Sequence, residues 1–445
     1  MGLSIFGIKT VCCKRQRQKK EEVGMEKKKI STKAWIFIAI GVLATFMMPQ
    51  VSFIITPAVQ SLSETYPDIA YSNILMLQTA VYLMIIPFSI ISGIVTGTKL
   101  SYRTVACVSA ILIGVGGLFP YFVQDHFWLI YASRFVCGAG EGLAFPLGSA
   151  LIIEYFQGRR RNIIQGISMF VLNISGVVYQ NVSGYLCTQN VGLIWLLHAC
   201  LIIPLVLMLL FLKDPEKVSA EDKAMIAGAT EEEIQAANTD QEKDEGQKPS
   251  RHPRAFWLTA AFGIMFIPYY AILLNMSQML DYRDIGDAAT AGMVASCYTV
   301  AGLVSAFLYP VLFPIFKKFL VPFAIVLGLI GVLFAFIGNS VIMMMLAELF
   351  IGFSAFLVWP ACLRDYAAMT NQRGVMFYSG LFAAFWNLGA TISGYWISGW
   401  YAFIGEQNPV SFAGASVVFG AIVIVIWIII RLRRPVELEA DYKYK

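Results

Sequence analysis

Long runs of apolar residues, separated by short polar stretches, follow one another along most of the chain. A helix needs about 20 apolar residues to cross the hydrocarbon core of a bilayer, and the sequence divides into twelve such runs. Strands of a membrane barrel would be about ten residues of alternating polarity, and no run alternates in that way. The sequence therefore predicts an all-α membrane protein with twelve transmembrane helices, near residues 35–57, 73–96, 104–123, 127–152, 163–187, 192–212, 255–280, 288–313, 319–338, 341–363, 375–400 and 409–430.

The composition agrees with this pattern. Of the 445 residues, 58% are hydrophobic and 14% are charged, and the mean hydropathy of +0.68 excludes a soluble protein of this size. The lipid bilayer is thus the expected environment. The eight cysteines form neither a CxxC metal pair nor the disulfide framework of a secreted protein, so we expect no metal and no cofactor.

Basic residues lie almost entirely on one side of the predicted membrane. Lys and Arg concentrate in the cytoplasmic segments of membrane proteins. Of the 33 such residues, only Arg283 falls in the loops of the opposite side, and Arg134 lies within a span. Both termini are therefore predicted to be cytoplasmic, and the net charge of +5 reflects topology and not a nucleic-acid partner.

A polar break divides the spans into two groups of six. Residues 213–254 carry many charges and almost no aromatic residues, which is typical of a linker exposed to water. Within it, SAED at 219–222 and TEEE at 230–233 resemble capping boxes and predict short surface helices. The predicted organisation is a basic cytoplasmic tail over 1–33, a six-helix bundle over 34–212, the cytoplasmic linker over 213–254, a second six-helix bundle over 255–434 and a cytoplasmic tail over 435–445.

The two halves of the chain repeat one another. A shift of 214 residues places LIYASRFVCGAGEGLAFP of the fourth span on MMMLAELFIGFSAFLVWP of the tenth without a gap. Repeats of this kind predict two bundles related by a pseudo-two-fold axis. The residues brought into register are Arg134 and Glu348, Gly138 and Gly352, Pro146 and Pro360, Arg159 and Arg373, Gly166 and Gly380, and Asn173 and Asn387.

The fourth span and two loops resemble a known transporter family. RFVCGAG at 134–140 is similar to the R-x-x-x-G-x-G motif of the major facilitator superfamily, and YFQGRRRN at 155–162 resembles the basic loop that follows it. GIVTGTKLSYR at 93–103 sits where the family carries G-x-L-a-D-R-x-G-R-R, but Gly97 and Thr98 replace its acidic residue and first arginine. The resemblance covers essentially all twelve spans. It implies a secondary transporter, not an enzyme, whose first, fourth, seventh and tenth helices line a central cavity.

Arg134 and Glu141 are charged residues inside the fourth span. Seven residues of α-helix turn through about 700°, so both side chains lie on one face. A charge at bilayer depth is costly unless it is paired or hydrated, and we therefore expect this face to look into a water-filled cavity. Arg134 is predicted to bind an anionic substrate group and Glu141 to carry a coupling proton. The alternative is that they bridge one another or neighbouring helix ends and only set the packing.

Other polar and aromatic residues at mid-membrane depth complete the predicted substrate site, with packing as the alternative role of each. Glu348, at the depth of Arg134 in the second half, is expected to face Arg134 across the cavity or to pair within its own half. Tyr269 and Tyr270 follow Pro268, which predicts a broken helix, and His198 is expected to be a packing residue. The predicted substrate-binding residues are Arg134, Glu348, Asn173, Asn387, Tyr269, Tyr270, Asn275, Trp359, Trp386 and Gln50.

Charged residues also cluster at the cytoplasmic ends of the spans. We expect either an inner gate that opens with the cavity or solvated ion pairs that anchor the helices. The predicted gate residues are Glu154, Arg159, Arg160, Arg161, Arg364, Asp365 and Arg373.

These features favour a secondary transporter over other membrane proteins. The chain contains no Walker A sequence and no HExxH motif, which argues against an ATP-driven pump and a membrane metalloprotease. Single charges at staggered depths fit an alternating site better than the ring of a channel filter. We expect a carrier of a small organic anion with H⁺ as its coupling ion, acting as a monomer in the cell membrane. An exporter of amphipathic or hydrophobic compounds is the alternative.

Overall fold

The computed structural model describes residues 34–215, 218, 226–227, 251–316, 319–370 and 372–433. The predicted tails, most of the linker and the expected surface helices at 219–222 and 230–233 lie outside this part of the chain. In the described part of the chain, the long helices are α1 (Trp35–Thr65), α2 (Tyr71–Val95), α3 (Tyr102–Phe122), α4 (Phe127–Tyr155), α5 (Gly158–Gln189), α6 (Val191–Phe211), α7 (Pro253–Tyr282), α8 (Ala288–Phe316), α9 (Leu320–Ile337), α10 (Val341–Met369), α11 (Gln372–Ile404) and α12 (Pro409–Arg433).

These helices have the length and composition of membrane spans. Within the described residues, α1 to α10 each pass that test, and α11 and α12, which lie at 115° to each other, pass it as a pair. The prediction of an all-α membrane protein is confirmed. The side of the membrane on which the termini lie stays a prediction.

The two ends of the bundle are distinguished by the linker, which contacts one of them. At one end, which we call the linker end, the Tyr155 hydroxyl donates to the carbonyl of Lys213 and the Tyr378 hydroxyl donates to the carbonyl of His252. At the opposite end, which we call the far end, α1, α7 and α11 finish. The linker end is the one predicted to be cytoplasmic.

Close contacts join the two halves along α5 with α8 and α2 with α11. A Cβ added to Gly184 would lie 2.5 Å from the Ala288 carbonyl oxygen, and one added to Gly394 would lie 3.0 Å from Thr79. Only glycine leaves room for such approaches between helix backbones. These contacts between the halves lie toward the far end of the bundle.

The internal repeat is visible in the packing. A Cβ on Gly138 of α4 would lie 2.6 Å from the Val81 carbonyl oxygen of α2, and one on the equivalent Gly352 of α10 would lie 2.5 Å from that of Tyr298 in α8. The same glycine thus permits the same helix crossing in each half. The prediction of two pseudo-symmetric bundles is confirmed.

Breaks in the helices distinguish the first half from the second. α1 changes to 3-10 geometry at Thr45–Met47 and again at Val51–Ala58, around Pro49, and α6 begins as a 3-10 helix over Val191–Leu201. Non-helical backbone at membrane depth is tolerated where it is buried in protein. The predicted break at Pro268 is wrong, because α7 runs as one helix through this proline.

Candidate functional site

Arg134 lies fully buried in the first half of the molecule. Its Nε donates to the Leu77 carbonyl oxygen at 3.2 Å, one terminal nitrogen lies 3.4 Å from Nε2 of His198, and the other donates to the Ser52 hydroxyl at 3.5 Å. The guanidinium carbon is 5.6 Å from the centre of the Trp195 ring, a cation–π contact. These partners come from α1, α2 and α6, so three neighbouring helices hold this side chain of α4.

His198 is a partner of Arg134 and not a packing residue alone. Its Nδ1 lies 3.2 Å from the carbonyl oxygen of Trp195. A carbonyl can only accept, so Nδ1 carries a proton, and Nε2 of the neutral ring is free to accept from Arg134. The broken start of α6 places His198 at this depth.

Glu141 completes this group of polar side chains. It is buried, and it accepts a hydrogen bond from the Ser52 hydroxyl. The same hydroxyl accepts from Arg134. The described residues show no direct hydrogen bond between Arg134 and Glu141, so one hydroxyl on the irregular part of α1 links a buried cation to a buried carboxyl group.

The prediction that the face of α4 with Arg134 and Glu141 looks into a water-filled cavity is wrong for this conformation. Arg134 is 0% exposed and Glu141 is 1% exposed. Ser52, His198 and the Leu77 carbonyl supply polar contacts to the two side chains.

Glu348 is enclosed in the second half without a comparable set of partners. It is 0% exposed, and among the described residues neither carboxyl oxygen has a hydrogen-bond partner. The expected pairing with Arg134 across a cavity is therefore not formed here.

Two tyrosines meet between the halves at mid-membrane depth. The Tyr270 hydroxyl of α7 donates to that of Tyr82 in α2, and the ring centres are 5.3 Å apart. Gln78 donates to the Tyr82 hydroxyl at 2.8 Å. Tyr270 thus lies at the boundary, whereas the predicted residue beside it, Tyr269, donates to the Ile325 carbonyl at 2.6 Å within the second half.

Hydrogen bonds between uncharged side chains close the boundary between the two halves at the far end. The Tyr71 hydroxyl donates to Asn275 at 2.7 Å, Asn275 donates to the Tyr401 hydroxyl at 2.8 Å, and that hydroxyl donates to Gln278 at 2.7 Å. We call Tyr71, Asn275, Tyr401 and Gln278 the far-end latch. Asn275, predicted to bind substrate, belongs to this latch in the present conformation.

The remaining predicted amides lie between helices. Asn173 and Asn387 each donate to the carbonyl four residues earlier, Met169 and Ala383, at 2.8 Å, so the repeat extends to their hydrogen bonds. Gln50 is 7% exposed, and its Oε1 has no partner among the described residues. It lies beside Gly176.

Trp359 and Trp386 belong to a cluster of aromatic rings in the second half. Trp386 lies 4.6 Å from Phe266, and Trp359 lies 4.6 Å from Phe382, between ring centres. Phe262 stacks on Phe382 at 4.5 Å. Both tryptophans are only partly buried, so this cluster offers aromatic surface.

The predicted gate residues fall into two groups at the linker end. Arg160 lies 5.1 Å above the Trp35 ring and donates to the Ile226 carbonyl at 3.1 Å, and Arg364 lies 3.4 Å above the Phe313 ring. Arg160 thus contacts the first half and the linker, and Arg364 contacts α8 of the second half. Glu154, Arg159 and Arg161 are exposed, Asp365 is partly buried, and the side chain of Arg373 lies outside the described residues.

Sequence reasoning missed the neutral members of the site. Ser52 and Tyr82 were not singled out, and His198 was assigned to packing. A single serine or tyrosine within an apolar run does not show how deep in the membrane it lies or which helix it faces. The nearby Pro49 and Pro57 were the local signs that this segment of α1 is irregular.

Comparisons with known proteins agree with this architecture. The model of the Major Facilitator Superfamily matches residues 41–361. A 97-residue segment is 30% identical to the lysosomal dipeptide transporter MFSD1 of Mus musculus, covering 22% of this chain and 19% of that protein. The Homo sapiens protein is 29% identical over 98 residues, or 22% of this chain and 20% of its own length. The matched segment thus spans about a fifth of these relatives.

Solved structures share the fold over nearly the whole chain. The xylose transporter XylE from E. coli, in a partially occluded inward open conformation, has a TM-score of 0.66 and 15% identity, with 91% of this chain and 100% of that chain covered. A POT family transporter in complex with 5-aminolevulinic acid has a TM-score of 0.66 and 14% identity, with coverages of 89% and 96%. Identities this low show the fold alone.

The match to this family, together with the two-bundle fold, identifies a secondary transporter of small solutes and not an enzyme. The chain belongs to the major facilitator superfamily. It is a multi-pass integral membrane protein.

Proposed function

We propose that the protein is a symporter that moves a small organic anion together with a proton. Arg134 binds the anionic group and Glu141 carries the proton. The observation that carries this proposal is the Ser52 hydroxyl, which joins the two charged side chains inside the first half.

The buried charges couple the two ligands. An ionised Glu141 balances the charge of Arg134 through Ser52. Protonation of Glu141 leaves the buried cation without that balance, which costs free energy in a medium of low polarity. A substrate carboxylate restores the balance, so proton and anion favour each other's binding, as symport requires.

Two similar proteins are described with compounds whose chemistry fits an anion-binding site at Arg134. The relatives MFSD1 are named as dipeptide transporters, and one structural neighbour is described in complex with 5-aminolevulinic acid. Both compounds contain a carboxylate. Another neighbour is described as a xylose–proton symporter, so proton coupling occurs on this fold. These likenesses support the proposal.

A second function is favoured by one observation. The partly buried Trp359 and Trp386 form a surface that suits amphipathic compounds. An exporter of such compounds is therefore the alternative. The expected location in the cell membrane stays a prediction, as does the monomeric state, and the MFSD1 relatives are named as lysosomal.

Uptake into proteoliposomes tests the function. Purified full-length protein is assayed with labelled carboxylates and with amphipathic fluorescent dyes, with and without an inward proton gradient. We expect the gradient to drive accumulation of a carboxylate. Transport of the dyes without any carboxylate would favour the exporter, and carboxylate uptake that ignores the gradient would contradict proton coupling.

A further inference from the structure

The groups around His198 fix the orientation of its ring. The residue is 1% exposed, and its Nδ1 lies 3.2 Å from the Trp195 carbonyl oxygen in the same 3-10 segment of α6. A Cβ added to Gly117 of α3 would lie 1.8 Å from Cδ2 of the ring. The ring therefore occupies the space that a side chain at position 117 would need, and glycine leaves that space free.

The enclosed ring presents one acceptor to Arg134. Because Nδ1 carries the proton of the neutral ring, Nε2 has none, and a terminal nitrogen of Arg134 lies 3.4 Å from it. The Leu77 carbonyl and the Ser52 hydroxyl accept from the other two nitrogens of the guanidinium. These bonds use three of its five N–H groups, and a bidentate carboxylate takes two.

All three of these acceptors are uncharged. A carboxylate in the place of His198 would neutralise Arg134 and weaken its attraction for an anion. The neutral ring satisfies one N–H group and leaves the positive charge available. Within the described residues, Glu141 reaches this cation only through the Ser52 hydroxyl.

We propose that His198 is a positioning residue for the substrate anion. Its Nε2 holds the guanidinium of Arg134 in the orientation that receives a carboxylate, and its lack of charge leaves the cation unneutralised. This inference rests on the proposed function, because Arg134 must bind the anion. It adds a residue of α6, which is outside the helices expected to line the cavity, to the determinants of substrate affinity.

Two substitutions separate the two hydrogen bonds of the ring. In His198→Gln the amide oxygen lies as many bonds from the backbone as Nε2 does, so it can accept from Arg134. In His198→Asn the shorter amide takes the place of Nδ1, where it meets the Trp195 carbonyl but does not reach Arg134. Both side chains are polar, uncharged and smaller than the ring, so a merely structural role predicts similar effects.

Uptake of labelled lactate and alanyl-alanine into proteoliposomes measures the difference. We expect KM to stay within about threefold of the unchanged protein for His198→Gln and to rise about tenfold or more, or ~1.4 kcal/mol, for His198→Asn. The maximal rate should change less. Equal KM values for the two folded variants overturn the proposal. Loss of stimulation by a proton gradient in His198→Gln at unchanged KM also overturns it, because the ring would then carry the proton.

Gly117 provides a second test in which Arg134 and His198 are unchanged. Gly117→Ala would displace the ring from Arg134 and should raise KM as His198→Asn does. The matched control is Gly114→Ala, one turn earlier on α3, where an added Cβ meets nothing within 4 Å. Melting curves show whether both variants are folded, and equal KM values for the folded pair contradict the proposed role.

A spectroscopic signature of the ring does not depend on transport. The chain has three histidines, His126, His198 and His252, so the ¹⁵N signals of His198 are assigned by their loss in His198→Gln. We expect Nδ1 to carry a proton and Nε2 to carry none in the purified full chain. A proton on Nε2 overturns the positioning role. Methyl esters that the unchanged protein transports as well as the free acids contradict instead the carboxylate site at Arg134.

Discussion

The Ser52 hydroxyl of α1 donates a hydrogen bond to Glu141 of α4 while it accepts one from Arg134. The balance between a buried cation and a buried carboxyl group therefore depends on the position of α1 against α4. A movement of α1 that withdraws this hydroxyl would remove the bridge between the two charged groups. Conformational change and charge compensation are thus linked at one side chain.

Replacement of Arg134 by lysine should impair transport. The guanidinium reaches Leu77, His198 and Ser52 in three directions, and the ammonium of lysine has neither this planar shape nor its reach. We expect carboxylate uptake by Arg134→Lys to fall about tenfold or more. Thermal unfolding in detergent checks that the variant is folded. Uptake equal to that of the unchanged protein would show that only the charge matters.

Loss of one hydroxyl should loosen the far-end latch. Tyr71→Phe leaves Oδ1 of Asn275 without its donor from the first half in the closed state, at a cost of about 1–3 kcal/mol. The equilibrium should shift toward conformations that are open at the far end. This opening is measured as the rate at which a membrane-impermeant maleimide labels Ser277→Cys in a chain without native cysteines.

The labelling rate should rise about tenfold in the Tyr71→Phe background. Tyr185→Phe, which removes the hydroxyl of a tyrosine that is 62% exposed, provides the control. If proteins with Tyr71→Phe and with Tyr185→Phe are labelled at the same rate, the latch does not hold the far end closed.

A methyl group at Gly138 should destabilise the first half. The added Cβ would lie 2.6 Å from the Val81 carbonyl, whereas one at Gly166 would meet nothing within 4 Å. Alanine favours a helix over glycine by about 1 kcal/mol where no clash occurs. We therefore expect Gly138→Ala to lower the unfolding temperature and Gly166→Ala to keep or raise it. A similar effect of both substitutions would contradict the close crossing of α4 with α2.

The stability that Asp287 gives to the start of α8 should depend on pH. Asp287 accepts from the backbone nitrogen of Thr290 at 2.9 Å and from its hydroxyl at 2.8 Å, and these bonds lower the pKa of the carboxyl group. A lowered pKa in the folded state stabilises the protein above the unfolded pKa, and this stability is lost as the pH falls through the folded pKa.

Asp287→Ala should therefore cost about 1 kcal/mol at neutral pH, as for the loss of a helix N-cap. The difference from the unchanged protein should shrink in acid. Unfolding temperatures at a series of pH values measure this effect. A difference that grows as the pH falls would contradict the assignment.

Hydropathy predicted the spans well because burial in lipid demands long apolar helices. The end of α1 shows where this signal stops: the apolar run ends near residue 57, but the helix continues to Thr65. Gln60 and Glu64 make the last turns polar without breaking them. The helix finishes just before Tyr66, because the residue ahead of Pro67 is disfavoured in helical conformation.

The candidate site was only partly predictable. Arg134, Glu141 and Glu348 stand out because charges are rare inside spans. Ser52 and His198 carry no such signal, and their role depends on irregular turns in α1 and α6 that bring them to Arg134. Conversely, Pro268 predicted a break, but α7 continues through this residue as one packed helix.

The central claim is that the carboxyl group of Glu141 carries the coupling proton. The most direct measurement compares carboxylate uptake into proteoliposomes, with and without an inward proton gradient, for the unchanged protein, for Glu141→Gln and for the exposed control Glu64→Gln. We expect the gradient to stimulate uptake by the unchanged protein and by Glu64→Gln, and to have no effect on Glu141→Gln. Undiminished stimulation of a folded Glu141→Gln protein would contradict this account.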